Sequence, residues 1–213
     1  MFNIVDDQDI GIERMELGPY GTNAYIIVCR KTGDSLVVDA PGDASEIIGG
    51  LKGTQPRYIL LSHDHLDHTG VLDLLRSQLK IPLATHLENS SRLEKPPEIL
   101  LKDGESLSLG KLTVEVLHTP GHTPGSLCFK IGKILIAGDT IFPGGPGKTN
   151  SPGNFRQILA SITEKIFKLP DDTVLYPGHG PETTVEKAKE EYAVFASRSH
   201  KADLCGDVLW LSS

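Results

Sequence analysis

The stretch Tyr58-Ile59-Leu60-Leu61-Ser62-His63-Asp64-His65-Leu66-Asp67-His68-Thr69-Gly70 decides how this chain is read. An apolar run passes directly into three histidines and two aspartates within six positions. Val71, Leu72, Leu75 and Leu79 then follow at helical spacing. Such a cluster is a poor hydrophobic core and a good cation site, because imidazole and carboxylate donors suit divalent metals. Its place between a strand and a helix is also where α/β proteins put their chemistry, at the carboxyl end of a strand.

Working outward, Ile81 to Thr85 reads as a further strand, which makes the cluster part of a βαβ unit. Upstream, Ile12–Leu17, Ala24–Cys29 and Leu36–Asp39 form a meander separated by glycine-rich turns. Asp43 is placed to cap a helix carrying Ile47, Ile48 and Leu51. Residues 86–104 show no period and read as a surface connection. Downstream, Ser106–Leu109, Leu112–Leu117, Ser126–Ile131 and Ile134–Ala137 are strands, with Gly110-Lys111 and Gly132-Lys133 as hairpin turns. Phe142 to Asn154 reads as a loop, and Asn154 as the cap of a helix bearing Phe155, Ile158, Leu159, Ile162 and Ile166. Thr173–Tyr176 is a strand, and Thr183 with Glu186 reads as a capping box for the last helix. The tail Val208-Leu209-Trp210-Leu211 is expected to add a final strand. Two β-rich halves, each followed by helices, predict an α/β (α+β) domain over 1–213, with sheet packed on sheet and helices outside.

Composition narrows the function classes. At 213 residues with 38% apolar content the chain can build a full core. Its net charge of −7 and lack of a basic run argue against nucleic acid as a partner. No apolar run approaches membrane-spanning length. Met1 to Asp9 carries three aspartates and no basic residue, unlike a secretory signal. Cys29, Cys128 and Cys205 are an odd number of widely spaced cysteines, the first and second in apolar strands, so a cytoplasmic protein is expected.

Further donors recur in one kind of place. His122 in Pro120-Gly121-His122-Thr123-Pro124-Gly125 and His179 in Pro177-Gly178-His179-Gly180-Pro181 sit in rigid turns at strand ends. Asp139 follows Ile136-Ala137-Gly138 in the same way. With His63, His65, Asp67 and His68 they make seven candidate metal ligands. His118 reads as a core histidine, with orienting the His122 turn as the alternative; His86 either lines the pocket or merely ends a strand. His200 reads as solvated. Asp39 either supports a ligand or makes a plain turn.

The pattern His63-x-His65-x-Asp67-His68, followed by His122, Asp139 and His179, resembles the metallo-β-lactamase superfamily. Asn23-Ala24-Tyr25, Gly121-His122-Thr123-Pro124-Gly125-Ser126, Gly138-Asp139-Thr140 and Pro177-Gly178-His179-Gly180 are similar to its glyoxalase II-like branch, and the likeness covers roughly residues 12 to 195. The resemblance implies a four-layer αββα sandwich with metal at one end of the sheets. It implies two divalent ions, zinc with iron or manganese as alternatives. His63, His65 and His122 would hold one and Asp67, His68 and His179 the other, with Asp139 and a hydroxide bridging. Asp67, His63, His65, His122 and Asp139 would carry catalysis, and the reaction would be hydrolysis of a thioester or related ester. A lactonase, or a mononuclear iron persulfide dioxygenase using only His63, His122 and Asp139, is the alternative. In two respects the chain differs from glyoxalase II: residues 180 to 213 leave room for one helix and a tail rather than a helical domain, and Gly147-Lys148 replaces the usual Gly-Arg. A small-molecule substrate other than a glutathione conjugate is therefore admitted.

Overall fold

The computed structural model describes residues 2–213. The first sheet is built in chain order from β1 (Phe2–Asp6), β2 (Ile10–Leu17), β3 (Thr22–Cys29), β4 (Asp34–Val38), β5 (Gln55–Leu60), β6 (Leu83–His86) and β7 (Ile99–Leu101). Its strands β1 to β4 are antiparallel, and β4 to β7 run parallel. The second sheet takes β8 (Ser106–Leu109), β9 (Leu112–His118), β10 (Leu127–Ile131) and β11 (Ile134–Gly138). A small hairpin of β12 (Ile141–Phe142) and β13 (Gly145–Pro146) intervenes before β14 (Val174–Pro177) and β15 (Thr183–Thr184) complete the sheet. Only β11 and β14 are parallel there.

Strand alternation makes the layers. In β3, Tyr25 and Ile27 enter the core between the sheets, while Ala24 and Ile26 face the opposite way. In β10, Leu127, Phe129 and Ile131 face the central core and Cys128 the outer one. Both faces are covered, which is why these strands read as continuous apolar runs. Helices α1 (Ala44–Gly50) and α3 (Leu72–Leu79) cover the first sheet through Ile47, Leu72 and Leu75; α2 (Leu66–Thr69) is a single turn inside the histidine stretch. Helices α4 (Pro152–Glu164) and α5 (Val185–Ala196) cover the second sheet through Phe155, Ile158, Ile162, Ala188 and Phe195. The αββα sandwich expected from the sequence is the fold.

Several local expectations are corrected. Ser151, not Asn154, caps α4: its hydroxyl accepts the Asn154 N–H, and Pro152 begins the helix where no donor is needed. Thr184, not Thr183, caps α5: both threonines pair with β14 as β15, the helix begins at Val185, and the Thr184 hydroxyl accepts the Lys187 N–H. Residues 87–92 form a 3₁₀ turn and 99–101 the edge strand β7, so the supposed surface connection contains structure. The tail makes no strand. It is held in turns, with Val208 and Trp210 fully sunk into the core under α4 and α5. Cys29 and Cys128 are buried and unpaired as expected. No helix among the described residues is long and apolar enough to cross a membrane.

Candidate metal centre

The carboxyl ends of β4, β5, β9, β11 and β14 meet at one edge of the sandwich, and each delivers a polar residue there. β5 runs into Ser62 and His63, the β9–β10 turn presents His122, β11 ends before Asp139, and β14 before His179. Cross-sheet bonds lock the edge. The Leu127 N–H donates to Ser62 O at 2.9 Å, the Asn23 N–H to Gly178 O at 2.7 Å, and the Tyr25 hydroxyl to Pro177 O at 2.6 Å. Gly178 must lack a side chain, since a Cβ there would lie 2.1 Å from Asp139 Oδ1 and 2.7 Å from His68 Cε1.

All seven predicted residues converge. Their donor atoms form three overlapping groups, each within 4.8 Å: His63, His65 and His122; His63, His68 and Asp139; Asp67, His68 and His179. His65 Nδ1 lies 3.2 Å from His63 Nε2 and 2.9 Å from His122 Nε2. On the other side, Asp67 Oδ2 lies 3.1 Å from His179 Nε2 and 3.6 Å from His68 Nε2. Asp139 sits between: Oδ2 is 3.5 Å from His122 and 3.7 Å from His179, and Oδ1 is 3.3 Å from His68.

The ring orientations are set from behind. Asp39 accepts Ser62 N–H at 2.8 Å, Ser62 Oγ–H at 2.7 Å and His68 Nδ1–H at 2.7 Å. With its hydroxyl proton spent on Asp39, Ser62 receives Nδ1–H of His63 at 3.0 Å. One carboxylate thus fixes the tautomers of two imidazoles and leaves both Nε2 atoms facing the centre. Asp39 holds a left-handed φ of 64°, a conformation aspartate tolerates better than most residues and one that recurs at functional sites. His122 donates Nδ1–H to Lys148 O at 2.8 Å, so its Nε2 also faces inward. The Thr22 hydroxyl donates to Asp67 at 3.3 Å. Asp39 was readable only as one of two options, and Ser62 and Thr22 carry no spacing signal at all.

His86 and His118 lie outside the three donor groups. They stack on one another, ring centres 4.0 Å apart, and His118 donates Nε2–H to Pro124 O at 2.8 Å. His118 is therefore not a core histidine; it braces the turn that presents His122. His200 is not simply solvated, as it stacks on Phe195 at 3.8 Å and donates to its carbonyl.

The buried charges ask for a cation. His68 Nε2 and Asp139 Oδ1 are both buried without a hydrogen-bond partner, although 3.3 Å apart. Orphaned buried polar atoms are rare unless an ion or ligand completes them. Burial, then neighbouring His68, holds the His63 imidazole well below 6.5; burial, then His122, lowers His65. Both donors therefore stay neutral, as ligands must. Burial would raise Asp139, but His68, His63 and His122 hold its carboxyl well below the usual carboxylate range. Burial likewise opposes charge on His68, yet Asp39 and Asp139 raise it to about 10.

These directions give the metal-free protein a stability optimum. His68, raised in the folded state, contributes stability that is complete below pH 6.5 and lost as pH climbs towards 10. His63 and His65, lowered, contribute stability that is complete above 6.5 and lost as pH falls. The melting temperature of chelator-treated protein is expected to peak near pH 6.5 to 7 and fall on both sides. A rise continuing to pH 10 would contradict the His68 pairing.

With this geometry in view, the sequence model of the metallo-beta-lactamase superfamily matches residues 17–179, about three-quarters of the chain. The chain belongs to the metallo-β-lactamase superfamily. Its relatives place it in the glyoxalase II-like branch. The probable metallo-hydrolase YqgX of Bacillus subtilis is 37% identical over 194 residues, covering 81% of this chain and 91% of that protein. A hydroxyacylglutathione hydrolase of a Polaromonas species is 33% identical over 175 residues, 79% of this chain and 66% of that enzyme. Among solved structures, the BLEG-1 B3 metallo-beta-lactamase superposes with a TM-score of 0.76 at 36% identity, over 84% of this chain and 96% of that one. Metallo-β-lactamase superfamily members are in general hydrolases that bind divalent metal, and the Asp/His donor groups of this chain fit that chemistry.

Proposed function

We propose that this protein is a binuclear metallo-hydrolase of small-molecule thioesters or related esters. The observation that carries the reading is the pair of three-donor groups flanking Asp139, whose unpartnered Oδ1 faces the unpartnered Nε2 of His68. His63, His65 and His122 would hold one ion and Asp67, His68 and His179 the other, with Asp139 shared; zinc is the ion proposed, and the donors are compatible with iron or manganese as well. When bound, such ions would polarise a carbonyl and lower the pKa of water to near 7.

The chain's own residues then orient and exclude. Asp39, through Ser62 and directly, keeps His63 and His68 aimed at the centre. Asp139 stays ionised and keeps its charge where the donors meet. Asp67, about one-fifth exposed, is the carboxylate of the cluster that reaches the solvent side. No serine or cysteine is needed as nucleophile: Ser62 is committed to Asp39, and Cys128 lies in the outer core. A thiolate leaves without help because its pKa is about 8.5, whereas an amine or alkoxide needs an acid. That difference supports a thioester over an amide.

One experiment tests the reading. Metal-loaded protein is offered the lactoyl thioester of glutathione, an acyl-coenzyme A, a lactone and a cephalosporin, while metal per chain is counted. About two ions per chain and thioester turnover are expected. A single iron with oxygen consumption on a persulfide would overturn it in favour of a dioxygenase.

A further inference from the structure

Beside the metal centre lies a cleft of about 290 Å³ whose floor includes His122, Asp139 and His179. One wall is the β12–β13 hairpin. The other is the C-terminal tail, through Asp207, Val208 and Leu209. The tail is strapped at one end to the hairpin and at the other to the loop that follows it. Thr149 and Gly206 exchange backbone bonds at 3.2 and 2.9 Å, and Trp210 N–H donates to Gly144 O at 2.8 Å. Between these ties the backbones touch: a Cβ on Gly145 would lie 2.4 Å from Val208 O. Buried Val208 and Trp210 anchor the strap in the core, so the wall is rigid.

The cleft is mostly apolar, and Lys148 is the only lysine or arginine among the described residues lining it. Its ammonium lies 3.6 Å from the carboxylate of Asp207, which the strap supplies. Both side chains are well exposed, so the pair adds little to stability. Its consequence is electrostatic: the one cation at the mouth is already neutralised, and a substrate carboxylate arriving there meets Asp207 as well as Lys148.

We propose that the strap of residues 206–210 is the specificity wall of the active site, and that Asp207, by cancelling Lys148, selects uncharged acyl thioesters over carboxylate-bearing ones. This inference rests on the thioester-hydrolase reading. It makes Asp207 a residue that acts through Lys148 on substrate choice, without a part in the chemistry.

The test uses full-length, metal-loaded protein and the butyryl and succinyl thioesters of N-acetylcysteamine. The two share a leaving group and differ by a terminal methyl against a terminal carboxylate. Wild type is expected to favour the butyryl compound. Asp207→Asn should raise the succinyl-to-butyryl ratio of kcat/KM about three- to fivefold, the range an exposed charge contact provides. Adding Lys148→Gln should return the ratio to its starting value, and high salt should erase the gain. An unchanged ratio in Asp207→Asn, or a gain that survives Lys148→Gln, overturns the proposal. If neither compound is hydrolysed, the thioester reading falls by itself. The ratio of their dissociation constants in wild type and both variants, measured by calorimetry, then decides the strap's role on the same criterion.

Discussion

Asp139→Asn is expected to remove measurable hydrolysis, a loss of at least about a thousandfold, and to lower the metal bound per chain. Asp139 lies within 4.0 Å of the Nε2 atoms of His63, His68, His122 and His179. An amide keeps its volume and its place after Gly138 but loses the charge that balances the cations. It also brings an N–H₂ group into a space where only acceptors face inward. Kinetics and metal analysis on the same preparation check both halves of the result; full activity would refute the assigned centre, as it would in His65→Ala. Asp39→Asn provides the graded contrast. It leaves every proposed ligand in place but gives His68 and Ser62 a mixed donor and acceptor in place of a carboxylate. Lost support of this kind typically costs 10- to 100-fold in metal affinity, so weaker metal binding with partial activity is expected.

The second large effect is on stability. Truncation after residue 202 removes Val208 and Trp210 from the core formed by α4, α5 and the outer face of the second sheet. Trp210 is fully buried and meets Phe167 at 6.2 Å and Tyr192 at 5.3 Å, ring centre to ring centre. Trp210→Ala alone should cost about 3–5 kcal/mol, from lost burial and the cavity left behind. For a chain of this size that lowers the melting temperature by roughly 10 °C. The truncation should do at least as much and also open the cleft, because the strap goes with it. Equal melting temperatures for truncated and full-length protein would show that the tail's packing contributes nothing.

That tail marks where the sequence becomes hard to read. Its run of four apolar residues suggests a strand, yet pairing requires a partner edge, and the local pattern says nothing about whether one is free. The caps show the same limit at smaller scale. Thr183 and Thr184 are equivalent by propensity and both pair with β14; the cap falls on Thr184 because the chain leaves that pairing to begin the helix at Val185. Residues 86–104 looked featureless because a 3₁₀ turn and a three-residue edge strand are too short to show a period. The stacked His86 and His118 come from different sheets, so nothing in their spacing could reveal them.

By itself the sequence determined the sandwich, most of its strands and the seven residues that meet at its edge. Those signals are local: side-chain alternation follows from the pleat, and rigid Gly/Pro turns hold donors at strand ends whatever lies across from them. Only the tertiary structure decided that Asp139 lies within 4.0 Å of His63 Nε2, that Asp39 rather than a plain turn stands behind His63 and His68, and that Asp207 reaches Lys148. Each of these joins atoms 23 or more residues apart across the carboxyl edge of two sheets. Such contacts depend on which strand ends the packing brings together, and no stretch of chain carries that information alone.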